Sequence, residues 1–365
     1  MGERFDVVVI GAGPAGSLTA MILARQGCRV AMFDRKRSGS FSVGETLPPQ
    51  TSRLLADLGL LKRFVSQGHR RSPGIVSAWG SADPLITDYL FSANGDGWHI
   101  DRSAFNQLLR EAAIGAGARL FGETPIEACV SSVRGWTVHA GGSECDCQIL
   151  VDATGRHPSS KLPHHARLVY DRLISVAGLI EANADADHVP SDYTLIESVK
   201  DGWFYSALLP GSKYIVTFTT DADVYASGRA ACNGYLDGQL RGAPLTRARI
   251  PEFPRDITTF SAVTMQRKVV AKSNWIAVGD AARSYDPLSG LGVWTAMNGA
   301  LKAAPVIQRM REGNAQSADT YNMKHQQAFA SYREKHAAYY ALEHRWPESP
   351  FWSRRHRELE ARHFD

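Results

Sequence analysis

The chain begins with the pattern of a strand, a glycine-rich turn and a helix. Residues 5–10 read FDVVVI, a short apolar run bounded by glycine, which is typical of a buried parallel strand. GAGPAG then opens an apolar helix that ends at Gly27, and CRVAMFDR is predicted as a second strand. The order strand, helix, strand predicts a βαβ unit at the N-terminus.

The hydrophobic pattern then changes twice. A charged helix is predicted over residues 50–64, turn-rich strands over 71–98, and a helix with i, i+3, i+4 apolar spacing in DRSAFNQLLREAAIGAG. Alternating strands follow in ACVSSVRGWTVHAG and CQILVDATG. From about residue 167 to 265 the chain consists of strands with one short helix at 228–240, and WIAVGDAA then returns to the parallel-strand pattern before long helices.

This order of elements predicts an α/β fold with an inserted domain. We expect a doubly wound, Rossmann-like dinucleotide-binding domain formed by residues 1–70, 99–165 and 266–325. A mostly antiparallel β-sheet substrate domain, residues 71–98 and 166–265, interrupts it. A helical C-terminal segment, residues 326–365, completes the chain.

Composition excludes several classes of protein. Of the 365 residues, 44% are hydrophobic and 21% charged, as in an ordinary globular protein, and a net charge of +4 is too small to indicate nucleic-acid binding. Five cysteines without framework spacing favour a reduced, cytoplasmic setting, and the pair in ECDCQIL fits alternation on a strand better than half of a metal site. No apolar run is long enough for a membrane helix.

The N-terminal glycine motif has the spacing of a dinucleotide site. Gly11, Gly13 and Gly16 form G-x-G-x-x-G directly after a strand, and Asp34 ends the next strand, where it can accept hydrogen bonds from ribose hydroxyls. The helix N-terminus supplies partial positive charge for phosphates. Arg35 and the two basic residues after it fit either a phosphate contact or a solvated loop.

Three motifs together resemble those of a known family. GAGPAG with Asp34, DATGRHP (152–158) and WIAVGDAARSYDP (275–287) are similar to the flavin motifs of the single-Rossmann FAD-dependent monooxygenases of the aromatic-hydroxylase type. The resemblance implies FAD, with Asp280 on its ribityl hydroxyls, residues 152–156 beside its pyrophosphate and Arg102 as a further contact. The predicted FAD contacts are Gly11, Gly13, Ala15, Gly16, Asp34, Arg35, Arg102, Asp152, Gly155, Gly279, Asp280, Pro287, Gly290 and Gly292.

The loop after Asp280 also suits a flavin. In PLSGLG, Gly290 and Gly292 precede a helix, so that the backbone amides at its start can face the N1/O2 edge, which carries negative charge in reduced flavin. No second G-x-G-x-x-G follows a strand. The reductant is therefore expected to be NAD(P)H that docks transiently, or a separate flavin reductase.

Three further segments resemble one branch of that family. SVGETLPP (42–49), GWFYSALLP (202–210) and SYDPLSGLG (284–292) are similar to segments of flavin-dependent tryptophan halogenases and of the flavoproteins that mature tryptophylquinone cofactors. The halogenases carry a lysine in the N-terminal half and a Trp-x-Trp-x-x-Pro motif. This chain has no lysine between Lys62 and Lys161 and no W-x-W. These departures favour hydroxylation over halogenation.

The resemblance thus implies hydroxylation of an electron-rich aromatic through a flavin C4a-hydroperoxide. The substrate is expected to be indole or tryptophan, or a phenol, either as a small molecule or within a partner protein or peptide. Halogenation stays open, as does reduction of double bonds by a prenyl-reductase type of enzyme, whose aromatic motif GWFYSALLP resembles only loosely. A flavin-binding module without activity is disfavoured because a whole substrate domain is present.

The catalytic residues are less well specified than the FAD contacts. Glu45, held in a rigid Gly-Glu-Thr loop, His99 and Tyr285 are predicted as catalytic groups. Each has a structural alternative, which is a capping or ion-pair role for Glu45, a core position for Tyr285 and a hydrogen-bonded core histidine for His99. Further candidate contacts to the substrate, which fit the core equally well, are Trp79, Trp98, Trp203, Tyr205 and Trp294.

The C-terminal segment is basic and aromatic. Phe329, Tyr332, His336, Tyr339, Tyr340 and Leu342 lie near helical i, i+3, i+4 spacing, which predicts one face packed on the FAD domain. The arginines and histidines after Pro350 fit a solvated basic tail, or alternatively a surface that docks a partner protein.

Overall fold

The computed structural model describes residues 3–35, 43–156, 159–163, 166–182, 190–231 and 234–362, with side chains up to residue 357. The strands are β1 (Glu3–Ile10), β2 (Val30–Phe33), β3 (Thr46–Leu47), β4 (Arg70–Ser72), β5 (Gly74–Ala78), β6 (Leu85–Asp88), β7 (Gly97–His99), β8 (Arg119–Phe121), β9 (Ile126–Ser132), β10 (Gly135–Ala140), β11 (Ser143–Asp152), β12 (Arg167–Val169), β13 (Leu173–Glu181), β14 (Thr194–Val199), β15 (Gly202–Leu209), β16 (Lys213–Asp221), β17 (Ile257–Ser261), β18 (Met265–Arg267), β19 (Ala271–Lys272), β20 (Trp275–Ala277) and β21 (Arg283–Ser284).

The helices are α1 (Pro14–Arg25), α2 (Gln50–Asp57), α3 (Leu61–Val65), α4 (Arg102–Gly115), α5 (Ala222–Ala231), α6 (Tyr235–Arg241), α7 (Pro244–Arg249), α8 (Gly292–Arg311), α9 (Gln316–Ala341) and α10 (Pro350–Arg362). Two short 3-10 turns, Gly279–Ala281 and Pro287–Ser289, lie between β20 and α8.

A parallel sheet forms the centre of the first part of the fold. Its strands lie in the order β20–β11–β1–β2–β8, and β19 and the β9–β10 hairpin extend it with antiparallel pairs. Apolar residues of α1, α4 and α8 pack against one face, and β10 with part of α9 covers the other. From β1 the chain continues to β2 on one side and later to β11 on the other. A crevice therefore opens at the carboxyl ends of β1 and β11.

A second, mostly antiparallel sheet forms the other part. Its seven strands lie in the order β17–β13–β16–β15–β14–β5–β6, and only β14 and β5 run parallel. One face packs on the short helices α5, α6 and α7. The predicted fold class is confirmed: a Rossmann-like domain, an antiparallel sheet and C-terminal helices. Because all seven strands come from residues 74–88 and 173–261, we propose the division into domains expected from the sequence.

Two helix predictions were wrong in their bounds. The helix expected over 50–64 is divided into α2 and α3, because Gly59 adopts φ +72°, a left-handed conformation that ends a helix. The one short helix expected at 228–240 is instead the series α5, α6 and α7, and Pro244 begins the last of these.

The C-terminal segment packs on both parts of the fold. Phe329 and Tyr332 contact Tyr285 of the FAD domain, as predicted, whereas Tyr340 is also buried among Trp79, Trp203 and Trp352, so this end of α9 contacts the antiparallel sheet as well. Tyr339 and Leu342 are exposed (61% and 55%), since they lie off the face that carries Tyr340.

The basic tail is not simply solvated. Arg355 is buried and pairs with Asp221 at 2.8 Å, and Arg354 pairs with Asp221 at 2.8 Å and Asp223 at 2.6 Å. These ion pairs fasten α10 to the end of β16. Among the described helices, none combines the length and the apolar character that crossing a membrane requires.

Candidate flavin site and active site

Three glycines of the crevice hold backbone segments in close contact. A Cβ at Gly11, where φ is +104°, would lie 2.3 Å from the carbonyl oxygen of Ala153, and one at Gly16 would lie 1.9 Å from that of Gly11. A Cβ at Gly279 would lie 2.7 Å from the Cβ of Ala15. The residues after β1, β11 and β20 therefore converge at this edge only because these positions have no side chain.

Four other glycines of the predicted FAD contacts face open space instead. A Cβ at Gly13, Gly155, Gly290 or Gly292 would meet no heavy atom of the described residues within 4 Å. Gly13 precedes the first turn of α1, and Gly290 and Gly292 precede or begin α8, so two helix N-termini with free amides border this space. Such a glycine-lined crevice fits an elongated ligand that carries phosphates, which is what FAD requires.

Asp34 lies where the sequence predicted it, but it has a partner. Arg110 of α4 donates from Nη2 to Asp34 Oδ2 at 2.7 Å and from Nε to the carbonyl of Ala12 at 3.0 Å. Arg110 was missed, although it follows Arg102 by eight residues, about two helical turns, and so shares its helix face. Arg35 is exposed, and the two basic residues after it lie outside the described residues.

Asp280 and Asp152 have different surroundings. Asp280 is partly exposed and pairs with Arg156 Nε at 3.2 Å, and Arg156 also donates to the carbonyl of Tyr285. Asp152 is fully buried, where it accepts from Arg267 at 2.7 Å and from the amide and hydroxyl of Thr154. Because its carboxylate is enclosed, we propose that the Asp152 side chain shapes the loop at Gly155, and its contact with the cofactor stays a prediction.

Arg102 and Glu45 form a second polar group beside the crevice. Arg102 donates from Nη1 to the carbonyls of Val43 and Gly44, at 2.5 and 3.1 Å, and from Nη2 to Asn106 at 3.3 Å. Within the part of the chain that the structure describes, its buried Nε has no hydrogen-bond partner, nor has Oε1 of Glu45, although Glu45 Oε2 accepts from the Gly44 amide at 2.9 Å. Buried polar atoms without partners are costly, so these two fit groups that a bound ligand satisfies.

The surroundings of Glu45 change its acidity. Burial raises the pKa of the carboxyl, and the charge of Arg102 and the backbone hydrogen bonds oppose that shift only in part. The next residue, Thr46, is hydrogen-bonded through its hydroxyl to the hydroxyl of Tyr205 at 2.6 Å, which links the Glu45 loop to β15 of the antiparallel sheet. A buried carboxyl with a raised pKa is suited to accept a proton near neutral pH.

The other predicted catalytic residues are placed differently. His99 is fully buried, and both ring nitrogens are occupied, Nδ1 by the carbonyl of Leu208 at 3.1 Å and Nε2 by the hydroxyl of Thr194 at 2.9 Å. Burial lowers its pKa to about 4. Because both ring nitrogens have partners, we propose a structural role for His99, and its catalytic role stays a prediction that this geometry does not favour.

Tyr285 lies at one end of a groove of about 730 Å³ between α8 and α9 that also reaches Asp280. Its ring packs on Tyr332, with centroids 4.3 Å apart, and burial raises its pKa. Glu45 and Arg102 do not line this groove. Tyr285 therefore lies in the wall of a groove that is separate from Glu45 and Arg102. Its catalytic role stays a prediction without support from the geometry.

Most of the candidate aromatic contacts are structural. Trp98 is buried and donates to Ser52, and Trp203 is buried and donates to Tyr340. Trp79 donates to the carbonyl of Tyr339 and packs edge-on against Trp352. Trp294, in the first turn of α8, is partly exposed, and Tyr205 is partly buried beside Thr46. Only these last two stay candidates to contact a substrate.

A buried carboxylate directly before the loop 287–290, Asp286, was not predicted as a site residue from the sequence. Asp286 is 1% exposed and accepts from His336 Nε2 at 2.9 Å, from the Tyr340 hydroxyl at 2.7 Å and from the Leu288 amide at 2.8 Å. The spacing of His336 and Tyr340 on α9, i and i+4, was the available signal. Through Asp286, α9 is hydrogen-bonded to the start of the loop 287–290.

The cysteine prediction agrees with the structure. Cys145 and Cys147 lie at alternate positions of β11, and both are buried. Over the described part of the chain, no group of three or more histidine, cysteine or acidic side chains is arranged to hold a metal ion.

The crevice, its two helix N-termini and the open glycines together define a flavin-binding protein. The model of the FAD binding domain family matches residues 4–333, and the chain belongs to this family. The protein is thus an FAD-dependent oxidoreductase. Its relatives among known proteins agree with this class: LodB of Marinomonas mediterranea, provisionally named an FAD-dependent oxidoreductase, is 28% identical over 97% of this chain and 97% of its own length.

Solved structures share the fold. The chondrochloren halogenase CndH, which is myxobacterial, superposes with a TM-score of 0.86 at 22% identity, covering 99% of this chain and 89% of its own. The peptidyl tryptophan dihydroxylase QhpG, described as essential for tryptophylquinone cofactor biogenesis, superposes with a TM-score of 0.75 at 24% identity, covering 96% and 78%. Several further relatives are named flavin-dependent halogenases or carrier-protein halogenases. The resemblance to both halogenases and tryptophan-modifying flavoproteins is therefore confirmed.

Proposed function

We propose that the protein is an FAD-dependent monooxygenase that hydroxylates an electron-rich aromatic ring, with a tryptophan of a partner protein or peptide as the favoured substrate. The observation that carries the proposal is Glu45, a buried carboxyl with a raised pKa whose Oε1 has no hydrogen-bond partner among the described residues. The absence of lysine between Lys62 and Lys161 supports it. A carboxylate can remove the ring proton that hydroxylation displaces, whereas it cannot replace the lysine ammonium of the halogenases.

The cofactor contacts follow from the crevice. We assign the space at Gly13 and the N-terminus of α1 to the FAD pyrophosphate, and Asp34 and Asp280 to hydroxyl groups of the ribose and the ribityl chain. Gly290, Gly292 and the start of α8 suit the flavin ring, and Arg102 would donate its free Nε to the bound cofactor. When bound and reduced, FAD supplies the activation of dioxygen.

This chain's own residues then hold the substrate and move a proton. Glu45 accepts the proton that leaves the ring. The positive charge of Arg102 stabilises the negatively charged form of Glu45. The Thr46–Tyr205 hydrogen bond fixes the loop that carries Glu45. The antiparallel sheet and the aromatic cluster around Trp203 exclude water. The electrons come either from NAD(P)H directly or from a separate flavin reductase.

Halogenation is the second candidate, because several relatives are named halogenases. The experiment that separates the two supplies purified protein with FAD, a flavin reductase, NADH and isotopically labelled dioxygen, in the presence of chloride and bromide. The aromatic substrates are tryptophan, indole and a tryptophan-containing peptide. Mass spectrometry should detect a labelled oxygen atom in one product. A halogenated product, or a protein that does not take up FAD, would overturn the proposal.

Glu45→Gln is the matching variant and Glu197→Gln its control. Glu197 is also a buried carboxyl with a raised pKa, but it accepts from the amides of Leu245 and Thr246 on the other side of the sheet. We expect Glu45→Gln to bind FAD and to lose product formation by about 100-fold, the range for a general base. Glu197→Gln should lose stability and retain activity per folded molecule.

A further inference from the structure

The two edges of the seven-stranded sheet differ in a way that the cofactor does not explain. β6 and β17 are its outermost strands, and within the described residues β6 pairs only with β5. The outward N–H and C=O groups of β6 therefore have no strand partner among the described residues. Edge strands with open backbone groups are templates for pairing with another polypeptide, and proteins usually protect them with charge or bulges.

β6 is apolar as well as open. All four of its residues are exposed, with Leu85 at 67% and Ile86 at 51%, and in the loop that follows Leu90 is exposed at 79% and Phe91 at 94%. At the opposite edge, Ile257 and Phe260 of β17 are instead partly buried against the sheet. Leu85 and Ile86 point to opposite faces of the sheet, so this edge carries exposed apolar side chains on both faces, and such residues mark an interaction surface.

The register of the sheet connects this edge to the candidate active site. Leu85 pairs with Ser77, Ser77 with Ile196, and Ile196 with Tyr205, so that these four residues form one row across β6, β5, β14 and β15. Directly opposed residues point to the same face, and Ser77, Ile196 and Tyr205 are all partly exposed on that face.

The row ends at the proposed base. The Tyr205 hydroxyl bonds to Thr46, the neighbour of Glu45, and the row covers three strand spacings, about 14 Å. The loop after β6 also leads directly to β7, which pairs with β3 beside Glu45.

Charge indicates what kind of polypeptide this surface fits. Residues 73–101 contain four aspartates, Asp83, Asp88, Asp96 and Asp101, and no lysine or arginine. Asp88 accepts a hydrogen bond from Tyr193 but is exposed, and Asp83 is exposed as well. Asp96 pairs with Arg71 and Asp101 caps α4, so the carboxylates that flank Leu85 and Ile86 are those of Asp83 and Asp88. Two exposed carboxylates beside an apolar strand start complement an apolar segment that carries basic residues.

We infer that β6 is a docking site for an extended, apolar and basic segment of the partner protein, which adds as a further strand and presents its aromatic residue along the Leu85–Tyr205 row. Backbone pairing gives such a contact part of its affinity, and Leu85, Ile86, Leu90 and Phe91 give the rest. The inference rests on the proposed function for its substrate but not for its docking geometry. At about 3.3 Å per residue, the modified residue lies roughly four or five residues beyond the paired segment.

The test uses FAD-saturated protein without reductant and a synthetic probe. The probe is a peptide of alternating valine and lysine followed by a tryptophan about five residues further on. The variant is Ile86→Lys with Phe91→Ser, and the matched control is Thr258→Lys on the exposed side of β17. Because all three positions are exposed or mostly exposed, the variants should fold as the parent does, which a thermal melt verifies.

Two readouts are expected. Fluorescence anisotropy should show saturable binding that weakens at least tenfold in the β6 variant and stays unchanged in the control. Hydrogen exchange should show that the probe protects the amides of residues 85–88, but not those of 257–261. An acidic counterpart of the probe, with glutamate for lysine, should not bind.

Several outcomes would overturn the inference. These are a probe that does not bind, a probe that binds the β6 variant equally well, or an acidic counterpart that binds as tightly. A protein that is dimeric in light scattering and becomes monomeric in the β6 variant would assign the edge to a second copy of the chain instead. If the probe docks on β6 but is never oxygenated, the proposed function fails and the docking site stands. If free tryptophan is hydroxylated but the probe does not bind, the proposed function stands and the docking site fails.

Discussion

The flavin crevice and the antiparallel sheet depend on different kinds of contact. In the crevice, glycines at positions 11, 16 and 279 bring backbone within distances that no side chain permits, and those at 13, 155, 290 and 292 leave room for a ligand. In the sheet region, the contacts come from side chains distant in sequence, such as Tyr205 with Thr46 and Trp203 with Tyr340. A motif of glycines with fixed spacing can be found in a sequence, whereas pairs of side chains more than a hundred residues apart cannot.

The largest expected effect is a contrast between two glycines of the crevice. Gly11→Ala places a Cβ 2.3 Å from a backbone oxygen at φ +104°, so we expect a protein that neither folds stably nor retains FAD. Gly13→Ala meets no protein atom and has an ordinary φ of −76°. Its thermal melt without FAD should equal the wild type, while its FAD affinity falls at least tenfold by equilibrium dialysis. Equal FAD affinity in Gly13→Ala would mean that the pyrophosphate lies elsewhere.

The next effect tests whether α9 controls the position of the loop 287–290. Asp286→Asn replaces the buried carboxylate that accepts from His336, Tyr340 and Leu288, and losing hydrogen bonds to a buried charged group costs about 3 kcal/mol, measurable by urea unfolding. Burial alone would raise the pKa of Asp286, but the hydrogen bonds from His336, Leu288 and Tyr340 outweigh it and lower the pKa.

The pH dependence of that difference follows from the direction of the shift. A carboxyl whose pKa is depressed on folding stabilises the protein above its unfolded value, about 3.9, and loses that contribution as the pH falls further. The stability difference between wild type and Asp286→Asn should therefore be full at pH 7 and shrink below about pH 4. Asp57→Asn, an exposed acid on α2, serves as control. A stability difference that does not change with pH would contradict a depressed pKa of Asp286.

Glu45→Gln separates the chemistry from the fold. Because burial raises the pKa of Glu45, its ionised form destabilises the folded protein at neutral pH, so the variant should be as stable as the wild type or slightly more stable there. The wild-type rate of product formation should increase with pH through that raised pKa, and the variant should lose this dependence. A variant that melts lower and keeps the pH profile would assign Glu45 a structural role.

The smallest effect compares two arginines near Asp34. Arg110→Gln removes donors to Asp34 and to the carbonyl of Ala12, and FAD affinity should fall by about tenfold, as for loss of a charged hydrogen bond. Arg35 is exposed, so Arg35→Gln should change FAD affinity by less than about twofold. Flavin fluorescence quenching measures both. Equal effects of the two substitutions would restore Arg35 as a cofactor contact.

The sequence was sufficient to predict the class of fold and the crevice, because apolar periodicity and glycine spacing determine structure within short segments. It predicted the parallel strands, the α8 start at Gly292 and the strand position of Cys145 and Cys147. It could not show that Asp152 is enclosed by Arg267, which lies 115 residues away, or that Leu208 and Thr194 occupy both nitrogens of His99. A titratable residue's role depends on such distant partners, and a single sequence contains no record of them.

The parallel pairing of β5 with β14 has a consequence for how the chain folds. β5 contacts β14 about 120 residues later in the sequence, and closing a loop of that size costs entropy before any contact offsets it. During synthesis, both edges of the β5–β6 hairpin therefore stay unpaired until residue 199 has left the ribosome. The apolar side chains of β6 stay exposed even after folding. Overexpression should then favour aggregates that form cotranslationally, and slower synthesis at low temperature should increase the soluble yield.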